Sequence, residues 1–170
     1  MSRATRHEDL AMHGSAEMVI SAPAELLYEM VSDVTRMGEW SPHTFAARWL
    51  DGANDATVGA RFAGDNRNEH DTWTLAATVT DAQRPSVFAF VTGKVEGPAT
   101  RWEYRFEPVD GGTRVVESFA WTWMPSKTGF RGRVGAQPID VARTMVDERR
   151  AYLMESIRAT LGNLKAAAEG

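Results

Sequence analysis

Apolar residues recur along this chain in two periods, and the switch between them separates strands from helices. Residues 100–107 put Trp102, Tyr104 and Phe106 on one face and Arg101, Glu103, Arg105 and Glu107 on the other. Residues 113–123 group Thr113, Val115, Glu117, Phe119, Trp121 and Trp123, and the two segments read as a hairpin joined through 108–112. Residues 72–80 turn Trp73, Leu75, Ala77 and Val79 to one side and Thr72, Thr74, Thr78 and Thr80 to the other. Weaker strands are expected at 16–21, 45–50, 58–66 and 87–91. The last is almost wholly apolar, with Phe88 and Phe90 assigned inward. Asp/Asn/Gly clusters and Arg84-Pro85 supply the turns between them.

The helical period appears twice. After Pro23, suited to a first helical turn, and Glu25, placed where the dipole favours an acid, Leu26, Leu27, Met30 and Val31 recur at helical spacing. Asp33 opens a second short turn that stops at Trp40-Ser41-Pro42. From 139 to 168, Ile139, Ala142, Val146, Leu153, Ile157, Leu161 and Leu164 form one stripe. That helix would be roughly 40 Å long, against about 26 Å for an eight-residue strand, so it can cross a whole sheet. The expected architecture is α+β: a seven-stranded antiparallel sheet wrapped around the long C-terminal helix, with two short helices after strand 1. Residues 13–168 read as one domain behind a loose tail, 1–12. The Pro- and Gly-rich stretch 124–138 reads as irregular.

Composition narrows the class. The 170 residues suit a single domain, and 43% hydrophobic with 25% charged residues is a globular balance. A net charge of −4 argues against a nucleic-acid surface. No apolar run approaches the ~20 residues of a membrane span, and residues 1–12 do not read as a secretory signal. The absence of cysteine removes disulfides and thiolate catalysis and fits a cytoplasmic protein. Six tryptophans make the placement of large rings the main question.

The run Ser21-Ala-Pro-Ala-Glu-Leu-Leu-Tyr-Glu-Met-Val-Ser-Asp-Val-Thr-Arg-Met-Gly-Glu-Trp-Ser-Pro42 closely resembles the opening of polyketide cyclase/dehydrase-like proteins of the START-like (SRPBCC) superfamily. Four further pieces resemble it in order and spacing: Val58-Gly-Ala-Arg-Phe-Ala-Gly-Asp-Asn-Arg67, Thr100-Arg-Trp-Glu-Tyr-Arg-Phe-Glu-Pro108, Asp110-Gly-Gly-Thr-Arg-Val-Val-Glu-Ser118 and Thr160-Leu-Gly-Asn-Leu-Lys165. The resemblance spans about Ala16 to Lys165 and implies the helix-grip fold, with a hollow between sheet and helix. It also implies a recurring pocket acid at Glu117. It carries no single function, because the family holds enzymes and carriers alike.

Two charges fall on apolar faces: Glu117 among Val115, Phe119 and Trp121, and Arg149 between Val146 and Leu153. A buried charge needs a partner. Either the two orient a ligand's polar end, or they neutralise each other as a structural pair, or one snorkels to the rim. Asn66, in phase with Phe62, reads equally as a pocket amide and as a turn residue bonded to its own backbone. His43 could guard the entrance beside Trp40 or sit in an exposed loop. His7, His13 and His70 carry no such signal. No metal-ligand spacing or Ser-His-Asp set is visible, and Gly129-x-x-Gly132-x-x-Gly135 lacks the spacing of a phosphate loop.

The resulting expectation is a binder of a small, mostly apolar molecule, aromatic, polyketide-like or lipid-like. Its cavity would be lined by Asn66, Trp73, Phe90, Trp102, Tyr104, Glu117, Phe119, Trp121 and Arg149, with no cofactor, metal, nucleic acid or membrane. The alternative, implied by the resemblance, is a polyketide cyclase/dehydrase in which Glu117, Tyr104 or His43 moves protons. A further alternative is a filled core acting through its surface or as a homodimer.

Overall fold

Period-two segments bury their apolar faces by pairing, and here they close one sheet. The structure, a computed structural model, describes residues 5–95 and 97–170. Seven antiparallel strands run β1 (Ala11–Ile20), β2 (Thr44–Trp49), β3 (Arg61–Arg67), β4 (Thr72–Gln83), β5 (Val87–Lys94), β6 (Gly97–Val109) and β7 (Gly112–Thr122). Their spatial order is β1-β7-β6-β5-β4-β3-β2. Helix α1 (Ala24–Ser32) and a 3₁₀ helix (Val34–Glu39) follow β1, a short α2 (Gly129–Gly135) follows β7, and α3 (Ile139–Glu169) ends the chain. This is the α+β helix-grip architecture.

Several boundaries differ from the pattern, each for a packing reason. The tail is ordered well before residue 13: Leu10 and Met12 are buried against Trp121 and Val134, and β1 begins at Ala11 to pair with Thr122. Asp9 and His13 flank this short Leu10-Ala11-Met12 run, and only the partner strand shows that it pairs. Residues 1–4 of that expected tail lie outside the described residues. The stretch 124–138 is not wholly irregular, since α2 packs Phe130 and Arg131 onto the Trp121 ring at 6.0 and 5.7 Å. A bulge between Val79 and Asp81 carries β4 on to Gln83 and sets Ala82 opposite Phe88.

Hairpin β6–β7 sets the site. Its turn is only Asp110-Gly111, with Val109 opposite Gly112, not the five-residue link expected. Gly112 has φ 149°, and a Cβ there would stand 2.0 Å from the Ile20 carbonyl oxygen. From this turn the pairing runs without a bulge, placing Tyr104 opposite Glu117 and Trp102 opposite Phe119.

Helix α3 does not lie centrally on the sheet. Its close approach is to β1, where a Cβ on Gly14 would meet Met154 Sδ at 2.4 Å and Phe119 Cζ at 2.8 Å. Its apolar stripe joins two cores. Leu161 and Leu164 pack with Leu27, Val31, Phe88 and Phe106; Ala142, Val146, Leu153 and Ile157 pack with Phe119 and Trp121. The sheet's concave side over β3–β6 is left partly uncovered.

Candidate functional site

Because α3 rests toward β1, the strands opposite it border a cavity of about 140 Å³. Its sheet wall carries Asn66, Trp73, Phe90, Trp102, Tyr104 and Glu117, and α3 contributes Arg149, Tyr152, Leu153, Ser156 and Thr160. The last strand before the turn and the first after it supply the polar end. Tyr104 Oη donates to Glu117 Oε1 at 2.8 Å, a cross-strand pair with both residues under 9% exposed. Glu117 Oε2 is buried without a hydrogen-bond partner among the described residues.

Burial pushes the Glu117 carboxyl up to about 8, while the Tyr104 hydrogen bond pulls the other way. The group is therefore mostly a neutral acid at pH 7, with a proton to give and an oxygen to receive one. Burial first, then the neighbouring Glu117, holds the Tyr104 phenol well above its ordinary value, so it stays a donor. Tyr104→Phe deletes the one interaction that lowers Glu117. The carboxyl should then titrate higher than in the parent, as followed by carbon-13 NMR of the labelled side chain. An unchanged or lower midpoint would count against this pairing.

Not every expected residue reaches the cavity. Phe119 and Trp121 share the inward face of β7, but α3 covers that end of the strand and seals both into core with Val146 and Ile157. Phe119 packs on Trp102 at 5.7 Å and Trp121 on Trp123 at 6.3 Å. The proposed Glu117–Arg149 pair does not exist. Glu117 is held by Tyr104, and Arg149 lies over the rings of Phe130 (5.7 Å) and Tyr152 (5.1 Å). Asn66 combines its two readings, since its Nδ2 donates to the Gly64 carbonyl and its Oδ1 accepts from Thr44 Oγ1 while it lines the cavity.

The mouth holds residues that the apolar stripe did not mark. His43 lines the cavity, partly buried, and its Nδ1 shares a 2.9 Å hydrogen bond with Tyr152 Oη, the rings stacked at 4.6 Å. Trp40, expected beside it, is instead 2% exposed in the core, its carbonyl accepting from Asn163. Burial lowers His43, against an opposing backbone hydrogen bond with Arg67 and with a smaller downward push from the charge of Arg149, so it is mostly neutral at pH 7. His43 and Tyr152 also border an outer recess with Pro42, Arg67 and His70. The signal for Tyr152 was a second helical line, Arg149, Tyr152, Ser156 and Thr160, at i, i+3, i+7 and i+11 beside the apolar stripe. Among the described residues no cluster of three or more His, Cys, Asp or Glu could hold a metal ion.

A family model described as polyketide cyclase/dehydrase and lipid transport matches residues 12–169. The chain belongs to this family. Solved structures agree on the fold of this polyketide cyclase/dehydrase-like protein. The polyketide cyclase-like protein of Corynebacterium glutamicum is 27% identical with a TM-score of 0.65, over 95% of this chain and 93% of that one. The ZhuI aromatase/cyclase of a Streptomyces species is 21% identical with a TM-score of 0.66, over 94% of each chain. The di-domain aromatase/cyclase BexL of the BE-7585A biosynthetic pathway is 20% identical with a TM-score of 0.71; the match covers 95% of this chain and 51% of that one. No sequence among curated proteins matches it. Among the described residues, no helix is long and apolar enough to cross a membrane.

Proposed function

We propose that the chain binds a small, mostly apolar molecule, aromatic or polyketide-like, in the cavity between the sheet and α3. The observation that carries this reading is Glu117 Oε2, a buried polar atom on a cavity wall with no hydrogen-bond partner among the described residues. Leaving such an atom unpaired costs about 1–3 kcal/mol, which a ligand's hydroxyl or carbonyl would relieve. Trp73, Phe90 and Trp102 provide ring surface around it. At about 140 Å³ the cavity takes one ring as it stands, since roughly 150 Å³ holds a benzene-sized molecule. A polycyclic ligand would have to part His43 from Tyr152.

A second reading is favoured by the same acid. Ring closure of a poly-β-ketone needs a proton removed from an α-carbon and one delivered to a carbonyl oxygen. A carboxyl titrating near pH 8 beside a phenol suits both transfers, and the family description and the aromatase/cyclase relatives point to that chemistry. Binding comes first in either case.

Titration with phenol, read by tryptophan emission, tests it. Trp102→Ala should weaken binding about tenfold or more, and Arg105→Ala, on the exposed outer face, should leave it unchanged. Equal losses at both positions, or no binding, would refute the cavity as the site.

A further inference from the structure

We infer that the molecule this cavity holds is an organic anion, a carboxylate or an enolate, with its negative group seated on the guanidinium of Arg149. The inference rests on the cavity being the binding site and adds the charge class of its ligand. Arg36, Arg48, Arg61, Arg84, Arg101, Arg105 and Arg114 each meet a carboxylate at the surface. Arg149 makes neither an ion pair nor a hydrogen bond among the described residues, although it is less exposed than most surface arginines and lines the cavity. No acid is within reach along its own helix either: positions i±3 and i±4 are Val146, Tyr152, Met145 and Leu153.

The guanidinium of Arg149 lies over the rings of Phe130 and Tyr152. A ring face satisfies charge but takes none of the five N–H donors, which are built for a planar oxyanion. Arg133 lies over the same Phe130 ring at 5.8 Å and adds positive charge to this end. Among the described residues Glu117 is the one acid in the cavity wall, and its carboxyl is mostly neutral at pH 7, so no described carboxylate there cancels Arg149. A partly buried guanidinium with open donors is costly, and an incoming anion removes that cost while its apolar body fills the ring-lined space. A neutral Glu117 meets that body without repulsion and still donates a hydrogen bond.

Benzoate and benzamide share size and shape and differ in charge. In titrations of the full chain at pH 7 read by tryptophan emission, benzoate should bind about tenfold or more tightly than benzamide. Arg149→Gln should abolish that preference, and Arg149→Lys should keep part of it. Trp102→Ala should weaken both probes together, tying them to the cavity. Equal affinities in the parent protein, or a preference that survives Arg149→Gln, overturns the anion inference and leaves the cavity reading standing. Failure of both probes to bind overturns the cavity reading and this inference with it. Should Arg149→Gln not fold, the parent ratio of the two probes decides alone.

Discussion

Glu117→Gln should raise the melting temperature above pH 7 and flatten its dependence on pH. The carboxyl titrates near 8 in the folded chain against an ordinary 4.5. A raised folded value means that the acid's contribution is fully present below pH 4.5. It is lost progressively as pH rises toward 8, because the unfolded chain releases the proton first. At 1.36 kcal/mol per unit, the parent carries a penalty on the order of 3 kcal/mol at pH 7 and on the order of 5 above pH 8. Gln fills the same space, can still accept from Tyr104 and never ionises. The expected gain at pH 7 is roughly 8 °C, with little difference between the two proteins near pH 4.5. Calorimetry across pH 4.5–8.5 reads it directly. A large fall in stability, rescued by Arg149→Met, would instead restore the buried ion pair that the geometry contradicts. The same variant should lose turnover if the acid moves protons, so stability and activity would move in opposite directions.

Phe119→Ala should do the reverse. The ring is 2% exposed between Trp102, Val146 and Ile157, and its removal opens a void that the long helix cannot follow inward. The expected cost is about 3–5 kcal/mol, or roughly 10 °C in melting temperature. Phenol binding by the folded protein should change less than in Trp102→Ala, because Phe119 supports the cavity wall from behind and does not line it. A variant that kept its melting temperature but lost binding would return Phe119 to the site.

Those two substitutions mark where the reading of the chain by itself stops. Alternation is local: it depends only on successive Cβ atoms pointing to opposite sides. For that reason the inward faces of β4, β6 and β7 and the apolar stripe of α3 were legible, and with them the helix-grip fold. Asn66, Trp73, Phe90, Trp102, Tyr104, Glu117 and Arg149 all border the cavity because each lies on such a face. The edge of the same logic shows at residues 10–12, where two buried side chains in a run too short to show a period acquire meaning only from the strand beside them.

A shared face does not say what covers it. Tyr104 and Glu117 meet because a two-residue turn sets the register of β6 against β7, and a longer turn would have shifted every pair. Phe119 and Trp121 became core, and Glu117 on the same face stayed at the cavity, because α3 settles along β1 and covers one end of β7. That crossing also carries Arg149 onto Phe130 and Tyr152 and leaves it apart from Glu117. Period and amphipathic face were determined by the order of the amino acids. Helix placement, and hence which polar groups lack partners, was decided by tertiary packing, since it depends on contacts between residues far apart in the chain.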